Sequence, residues 1–298
     1  MQYFCNAEAM QRTGELDEWT PALLPPGVHA LRIETLTGGQ AHTAWRVALS
    51  DGRDVVVKGG RSVPDGFFAQ EAAGLKTLRD QGGLTTPDVL HLGTKSLVLE
   101  ALNPEIPDTP RFWEVAGQAI AALHSNTSPR HGWHHDGMLG RLPQENAWDD
   151  DGHRFFAERR ILRYLREPLV QEALDAPDHV AIEQLCHRLP ALIPPQPAVL
   201  LHGDLWRANV IAADNGDPVF IDPAVHYAWP EIDLSMMYCT GGVPDTFFEA
   251  YHELRPAIGG WRERMELLNL RELLCSVAHF GATGDYVTRI REVVKRFS

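Results

Sequence analysis

Two polar segments, each preceded by a short apolar run, carry the residues best suited to chemistry. LLHGDLWRANV contains His202, Asp204 and Asn209, and PVFIDP contains Asp222, thirteen residues after the asparagine. This spacing of His-x-Asp-x4-Asn and a following Asp is that of a kinase catalytic loop. Either fragment alone could arise by chance in a loop. Both together, each after an apolar run, indicate phosphoryl transfer.

The residue types fit the demands of that reaction. A hydroxyl that attacks a phosphoryl group needs a carboxylate to orient it and accept its proton, the role we expect for Asp204. Mg²⁺ prefers hard oxygen ligands, which Asn209 and Asp222 can supply. Because both segments follow predicted strands, their polar side chains can project at one strand end.

A lysine and a glutamate nearer the N-terminus supply the matching nucleotide site. Lys58 ends the β-rich run VVVK, and Glu71 follows thirteen residues later on a predicted helix. A lysine held by a carboxylate is positioned to contact the α- and β-phosphates of a nucleotide. Either residue could instead be an ordinary surface charge. Phe67 and Leu75, on the same helical face as Glu71, argue against its full exposure.

A glycine pair precedes this lysine, in the segment LTGGQAHT between the first two predicted strands. Gly38 and Gly39 would allow a backbone to approach phosphates closely. The segment matches neither GxGxxG nor a Walker motif, and it could be a plain glycine turn. Its place ahead of Lys58 favours a contact with nucleotide.

The first hundred residues are predicted to form a small antiparallel sheet with one helix. A strand over 31–36 leads to a hairpin turned at Asp51-Gly52, a strong hairpin signal. Apolar residues at helical spacing predict a helix over 67–80, and two more strands lie within 89–102. NPEIPDTP (103–110), rich in proline and polar residues, is the predicted hinge.

Beyond the hinge the pattern is mainly helical, and we place the domain boundary there. Residues 1–102 would form a β-rich nucleotide-binding lobe, and residues 103–298 a larger helical lobe for catalysis and substrate binding, with a cleft between them. This is an α+β class of fold. The predicted helices cover 111–124, 153–167, 178–192, 231–240, 244–254, 261–280 and 283–297.

Composition narrows the class of partner. The 298 residues include 44% hydrophobic ones, with 27 Lys plus Arg against 40 Asp plus Glu, so the net charge of −13 argues against binding to nucleic acid or an anionic membrane. Four scattered cysteines form no CxxC pair, and no signal peptide or membrane-length apolar run is evident. We expect a cytoplasmic monomer.

The motifs together resemble those of the fructosamine kinase (ketosamine-3-kinase) family, within the aminoglycoside-phosphotransferase-like, protein-kinase-like fold. HGDLWRANV and IDPAVHYAWPEIDLSMM carry most of the resemblance, and GWHHDGMLGRLPQENAW, FFAERRI and GWRERMELLNL extend it over nearly the whole chain. Trp206 and the LGxxPQxNxW pattern distinguish this family from choline and antibiotic kinases. The resemblance implies a two-lobed fold.

It also implies an activity. Members use ATP to phosphorylate a sugar hydroxyl of ketoamine adducts, such as fructosamines and ribulosamines, in deglycation or metabolite repair. Carried over by motif, Asp204 is the base, Asn209 and Asp222 bind Mg²⁺, and Lys58 and Glu71 serve the phosphates.

The resemblance assigns further supporting positions. The backbone of Glu100, Ala101 and Leu102 would meet adenine at the hinge. Asp233 would brace the catalytic loop, together with His202.

Departures from the family pattern fall where the sugar or its amine would bind. Arg207 follows Trp206 where small residues are common, and His226 opens an altered segment through 230. Trp206, next but one to the base, could stack on a substrate, and we expect His226 to contact substrate as well. Substrate identity is what these changes put in question.

Three alternatives stay open, along with one local question. The chain could phosphorylate another hydroxylated amine, such as an aminoglycoside or an amino alcohol, or it could bind nucleotide without catalysis as a regulatory protein. Protein-kinase activity is disfavoured, since no DFG-to-APE segment is present. Locally, His131, His134 and His135 could suggest a metal site, but glycines interrupt the helix it would need, so we expect solvated loop histidines.

Overall fold

The computed structural model describes residues 18–36 and 42–298. Gly38 and Gly39 therefore lie outside the described residues. Among the described residues between 30 and 100 there are five strands and one helix: β1 Ala30–Leu36, β2 Ala44–Leu49, β3 Asp54–Gly59, α1 Ala69–Asp80, β4 Val89–Leu92 and β5 Ser96–Glu100. The strands form one antiparallel sheet in the order β1-β2-β3-β5-β4.

The predicted hairpin is confirmed. β2 and β3 pair antiparallel, and Gly52 in the turn between them has a φ of +87°, in the region that glycine reaches most readily. The predicted helix is also confirmed, although α1 begins at Ala69, two residues later than predicted.

Alternation along β3 determines which way Lys58 points. Val55 and Val57 are buried in the cluster on one face of the sheet, whereas Val56 packs against the cluster beneath α1 that includes Leu75. Successive side chains of a strand point to opposite faces. Lys58 therefore shares the face of Val56 and points toward α1.

The rest of the chain is mainly helical. The helices are α2 Pro110–Leu123, α3 Gly152–Phe156, α4 Pro168–Ala173, α5 Ala176–Leu192, α6 Glu231–Thr240, α7 Asp245–Leu254, α8 Trp261–Leu268, α9 Leu270–Phe280 and α10 Tyr286–Phe297. Short strands lie between them: β6 Thr127–Ser128, β7 Gly137–Leu139, β8 Leu142–Gln144, β9 Ala198–Leu201, β10 Val210–Ala212, β11 Pro218–Phe220 and β12 His226–Ala228.

The short strands form three small sheets. β9 lies between β12 and β6, β10 pairs with β11, and β7 pairs with β8, all antiparallel. One large apolar cluster joins them to the helices, whereas the sheet of the first hundred residues has its own two clusters. No helix within the described ranges is long and apolar enough to cross a membrane.

Two helices that were predicted to be continuous are interrupted in the structure. Instead of one helix over 153–167, α3 passes into a π-helical turn, Ala157–Ile161, and then a 3-10 segment, Leu162–Arg166. The π turn accompanies a buried guanidinium, that of Arg160, whose Nη2 donates to Asn146 Oδ1 at 2.6 Å. The helix predicted over 261–280 is two helices, divided at Asn269.

Candidate active site

The two polar segments of the sequence lie side by side in the structure. The first connects β9 to β10, and the second follows β11. Because β10 and β11 pair as a hairpin, their ends bring the segments together, and the amide of Ile221 donates to the carbonyl of Asn209 at 3.0 Å. The structure thus places Asp222 beside the loop that contains Asp204.

A buried carboxylate holds the turn that precedes Asp204. Asp233 of α6 is 1% exposed and accepts from the amides of His202 at 2.8 Å and Gly203 at 2.9 Å. His124 Nε2 lies 3.2 Å from the same carboxylate. Burial alone would raise the pKa of Asp233, but these hydrogen bonds and the two nearby histidines lower it. A short ionised side chain thus fixes the backbone of this turn, the supporting position expected for Asp233.

Asp204 is half-buried at the end of that turn. Asn209 Nδ2 donates to the backbone carbonyl of Asp204 at 2.8 Å and to its Oδ2 at 3.2 Å. Burial, together with the negative charges of Glu272 and Asp222, raises the pKa of Asp204 to about 7 against the opposing charge of Arg271. A carboxylate with a pKa in this range suits proton acceptance near neutral pH.

Lys58 joins the sheet to the second polar segment. Its Nζ donates to Glu71 Oε1 at 2.6 Å and also contacts Asp222 Oδ1. Burial would lower the pKa of Lys58, but the charges of Asp222 and Glu71 outweigh it and raise the pKa. The lysine is thus a fixed cation. The predicted pair of Lys58 with Glu71 is present, with Asp222 as a third member.

The backbone at Asp222 adopts an uncommon conformation. Its φ of +57° lies in the left-handed region, which residues other than glycine, asparagine and aspartate rarely occupy. Such backbone strain persists where the surroundings enforce it and is concentrated at functional sites. Here the residue that follows, Pro223, packs closely against Gly74 of α1. This conformation directs the Asp222 carboxylate to Lys58.

The predicted adenine-contacting segment connects the sheet to the helical region. Glu100 is exposed at the end of β5, and Ala101 and Leu102 are half-buried. The next residue, Asn103, accepts from the amide of Ala212 in β10 at 3.1 Å. The segment therefore passes along the β10–β11 hairpin, whose two ends adjoin the polar segments of the site.

The side chains expected to hold Mg²⁺ have suitable chemistry. Since Asn209 uses its Nδ2 to donate to Asp204, its amide oxygen is left as an acceptor. Asp222 adds a carboxylate. Among residues 18–36 and 42–298, no group of three or more His, Cys, Asp or Glu side chains could hold a metal alone. The pair fits an ion that is bound through few protein ligands and completed by phosphates.

The two residues predicted to contact substrate differ in position. Trp206 is half-exposed, two residues after Asp204. His226 has no exposed surface, and its Nδ1 lies 3.0 Å from the carbonyl oxygen of Ala224. Burial holds the pKa of His226 well below its ordinary value. This position does not support the substrate role predicted for His226, because its side chain lies in the protein interior, with no surface exposed to solvent.

The prediction for the three loop histidines is partly wrong. His134 and His135 are exposed, as expected, but His131 is 7% exposed. Its backbone pairs with Asp149 in both directions at 2.8 Å, which draws the side chain into the interior beside Trp229.

Sequence reasoning assigned no role to three polar residues near Asp204, although Gln144 lies within the LGxxPQxNxW pattern. Gln144 of β8 and Arg271 of α9 are buried, and Glu272 is half-buried beside Arg271. One signal could have revealed Arg271: it lies four residues from Leu267 and three from Leu274, on the helix face that periodicity assigns to the core.

A family model described as fructosamine kinase matches residues 20–297. The chain belongs to the fructosamine kinase family. It is a kinase, a phosphotransferase with an alcohol group as acceptor, and its family membership implies the use of ATP. The resemblance seen in the sequence is thereby confirmed.

Individual relatives cover most of the chain. A probable ketoamine kinase of Synechocystis is 34% identical over 235 residues, 77% of this chain and 78% of its own. A chloroplastic protein-ribulosamine 3-kinase of Arabidopsis thaliana is 28% identical over 261 residues, 84% of this chain and 78% of its own.

Solved structures confirm the α+β, protein-kinase-like fold. A "putative fructosamine-3-kinase" from Thermobifida fusca has a TM-score of 0.81 at 33% identity and covers 91% of this chain and 94% of its own. The aminoglycoside phosphotransferase APH(4)-Ia, at 17% identity and a TM-score of 0.63, covers 90% and 95% and shares the fold.

Proposed function

We propose that this kinase transfers phosphate from ATP, with Mg²⁺, to a sugar hydroxyl of a ketoamine, a fructosamine or ribulosamine adduct, in deglycation or metabolite repair. The observation that carries the proposal is the contact of Lys58 with both Glu71 and Asp222, next to the loop of Asp204 and Asn209. Relatives described as ketoamine and ribulosamine kinases support the choice of acceptor.

Each residue of this set has a distinct task in the proposal. Asp204 orients the acceptor hydroxyl and takes its proton while the oxygen bonds to the γ-phosphorus and the bond to the ADP oxygen breaks. Lys58, kept in position by Glu71, contacts the phosphates. Asn209 and Asp222 hold Mg²⁺, which neutralises phosphate charge. Catalysis then rests on positioning and electrostatics rather than on covalent chemistry of the protein.

The nucleotide would lie between the two predicted lobes, 1–102 and 103–298. Backbone groups of Glu100, Ala101 and Leu102 would meet adenine, and Gly38 with Gly39 would cover the phosphates. The ketoamine would approach Asp204 near Trp206, whose half-exposed ring can pack against a sugar.

An acceptor panel tests the proposal. ATP consumption is measured with fructosyl-lysine, ribulosyl-lysine, an aminoglycoside and choline, with and without Mg²⁺, and with Asp204→Asn as the matched control. We expect Mg²⁺-dependent turnover on a ketoamine that the variant lacks. Turnover on the aminoglycoside or choline alone would transfer the proposal to that acceptor class. ATP binding without turnover on any acceptor would favour a regulatory role.

A further inference from the structure

A buried arginine from outside the motifs contacts the turn that precedes Asp204. Arg271 of α9 is 1% exposed, and its Nη2 donates to the backbone carbonyl of Gly203 at 2.9 Å. The same nitrogen donates to Gln144 Oε1 at 3.1 Å. An ion pair with Glu272 balances the charge of the guanidinium.

Gln144 continues the connection to the second polar segment. Its side chain, at the end of β8, is 2% exposed, and Nε2 donates to the carbonyl oxygen of Ala224 at 3.0 Å. Gly203 immediately precedes Asp204, and Ala224 follows Asp222 by two residues. A chain of three hydrogen bonds therefore connects the two loops through side chains of β8 and α9.

The close approach of these loops explains why such donors are needed. The amide of Ala224 donates to the carbonyl of His202 at 2.9 Å, and a Cβ on Gly203 would lie 2.0 Å from the Ala224 carbonyl oxygen. At this separation the buried carbonyls of Gly203 and Ala224 need partners, since an unpaired buried carbonyl is costly. Arg271 provides the donor to Gly203, and Gln144 provides a donor to the Ala224 carbonyl, which His226 Nδ1 also approaches at 3.0 Å.

We propose that Arg271 and Gln144 are positioning residues for phosphoryl transfer, which fix the spacing of the Asp204 loop from the Asp222 loop. The proposal rests on the proposed function, because it assigns those loops to acceptor and metal. The arginine is specifically suited: one nitrogen of its planar fork serves two acceptors while another pairs with Glu272. A lysine could keep the charge but not the full set of bonds.

Steady-state kinetics of Arg271→Met, Arg271→Lys and Gln144→Met test this inference. Displacing the loops should lower kcat by about 10- to 100-fold, because reacting groups are sensitive to shifts on the order of 1 Å. The KM for ATP should stay within about threefold, since Lys58 and the hinge are untouched. Arg271→Lys should regain part of kcat.

A double variant separates one connected unit from two independent contacts. If the residues act through the same chain of hydrogen bonds, Arg271→Met with Gln144→Met should lower kcat little more than Arg271→Met alone. If the fold-loss of kcat in the double variant equals the product of the two single losses, the residues act independently. That result would overturn the proposed connection between Arg271 and Gln144, even if each residue proved important for stability.

Arg163→Met is the matched control. Arg163 is also a buried arginine, 5% exposed, and its Nη2 pairs with Glu167 at 2.6 Å, away from both loops. This variant should lose thermal stability yet keep kcat where it is folded. Unchanged kcat in the Arg271 and Gln144 variants, with only a control-like loss of melting temperature, would overturn the inference.

Turnover by the wild-type protein distinguishes failure of this inference from failure of the proposed function. Ketoamine turnover by the wild type with undiminished kcat in the variants would overturn the inference and leave the proposed function standing. Absence of turnover by the wild type on every acceptor would overturn both. If another acceptor is used, the same kinetic comparison is made with that acceptor.

Discussion

Two clusters of ionisable side chains adjoin the loop that contains Asp204 and differ in how far solvent reaches them. In the first, Lys58, Glu71 and Asp222 have side chains that are 16%, 18% and 38% exposed. In the second, the side chains of His124 and Asp233 are 0% and 1% exposed. The first cluster adjoins the proposed nucleotide site, and the second lies beneath the loop.

The difference separates contacts that a ligand can replace from contacts that must persist. Lys58 and Asp222 now satisfy each other, whereas the proposed reaction needs the lysine on phosphate and the aspartate on Mg²⁺. Asp233 accepts two backbone amides and a histidine, so no ligand could improve its surroundings. We therefore expect substitutions in the first cluster to affect kinetics and substitutions in the second to affect stability.

The largest effect is expected from Asp204→Asn, between the two clusters. Loss of the proton acceptor should lower kcat about 10³- to 10⁴-fold, near the upper range for general base catalysis combined with positioning. Nucleotide affinity should change little, because Lys58 and Asp222 remain. Turnover is measured with saturating ATP, and ATP binding by calorimetry. An equal loss of both would indicate a misfolded site instead of a missing base.

Asp233→Ala should have the largest effect on stability. It leaves the amides of His202 and Gly203 and the ring of His124 without their common acceptor. We expect a loss of about 3 kcal/mol in the free energy of unfolding at pH 7. Urea denaturation measures it, with Asp245→Ala, an exposed α7 carboxylate, as control.

The lowered pKa of Asp233 predicts how its contribution to stability changes with pH. The folded-state pKa of Asp233 is lowered, so its stabilisation is complete above the ordinary carboxyl pKa of about 4 and is lost as pH falls through the lower folded value. The difference in free energy of unfolding between the wild type and Asp233→Ala should therefore become smaller at acidic pH. A difference that grows below pH 4 would contradict an ionised Asp233.

Lys58→Met tests the replaceable cluster. Loss of the cation should lower kcat/KM for ATP by about 10- to 100-fold, since the phosphates lose a charge-assisted contact. The KM for the acceptor should stay the same. Lys76→Met is the matched control, because Lys76 lies on α1 and pairs with exposed Asp80. A comparable loss in both variants would remove the special role of Lys58.

The residues of the first cluster could be predicted because local spacing encodes them. Lys58 ends a strand, Glu71 lies on the next helix, and Asp222 follows an apolar run, so each position has a signal within a few residues. Gln144 and Arg271 carry weaker signals, since Gln144 lies in the LGxxPQxNxW pattern and Arg271 on a periodic helix face, and neither signal identifies a partner. Their contact spans 127 positions and depends on how β8 packs against α9, which periodicity alone does not specify.

The same limit on prediction from local sequence applies to the fold. The hairpin at Asp51-Gly52 and the separate helices from 110 onward follow from turn chemistry and apolar spacing. The interruption after Phe156 does not, because it accompanies the burial of Arg160 among distant carbonyl and amide oxygens. Burial of His226 likewise depends on the pairing of β12 with β9, and burial of His131 on an isolated bridge to Asp149, rather than on their own neighbours in sequence.

The smallest effect is expected for Arg207→Ala, because the contacts of this side chain are partly exposed to solvent. Arg207 is 32% exposed, and its Nη1 donates to Asp108 at 3.1 Å and to the carbonyl of Gly242 at 2.7 Å, with its guanidinium 5.1 Å from the ring of Trp113. Partly exposed ion pairs and cation–π contacts contribute modestly, so we expect a loss of about 0.5–1 kcal/mol. Because Arg207 begins the turn that ends at Asn209, kcat should fall about twofold while thermal stability falls slightly. A loss of kcat as large as that of Asp204→Asn would show that this exposed contact is part of the catalytic unit, and the division between replaceable and persistent contacts would then be wrong at this turn.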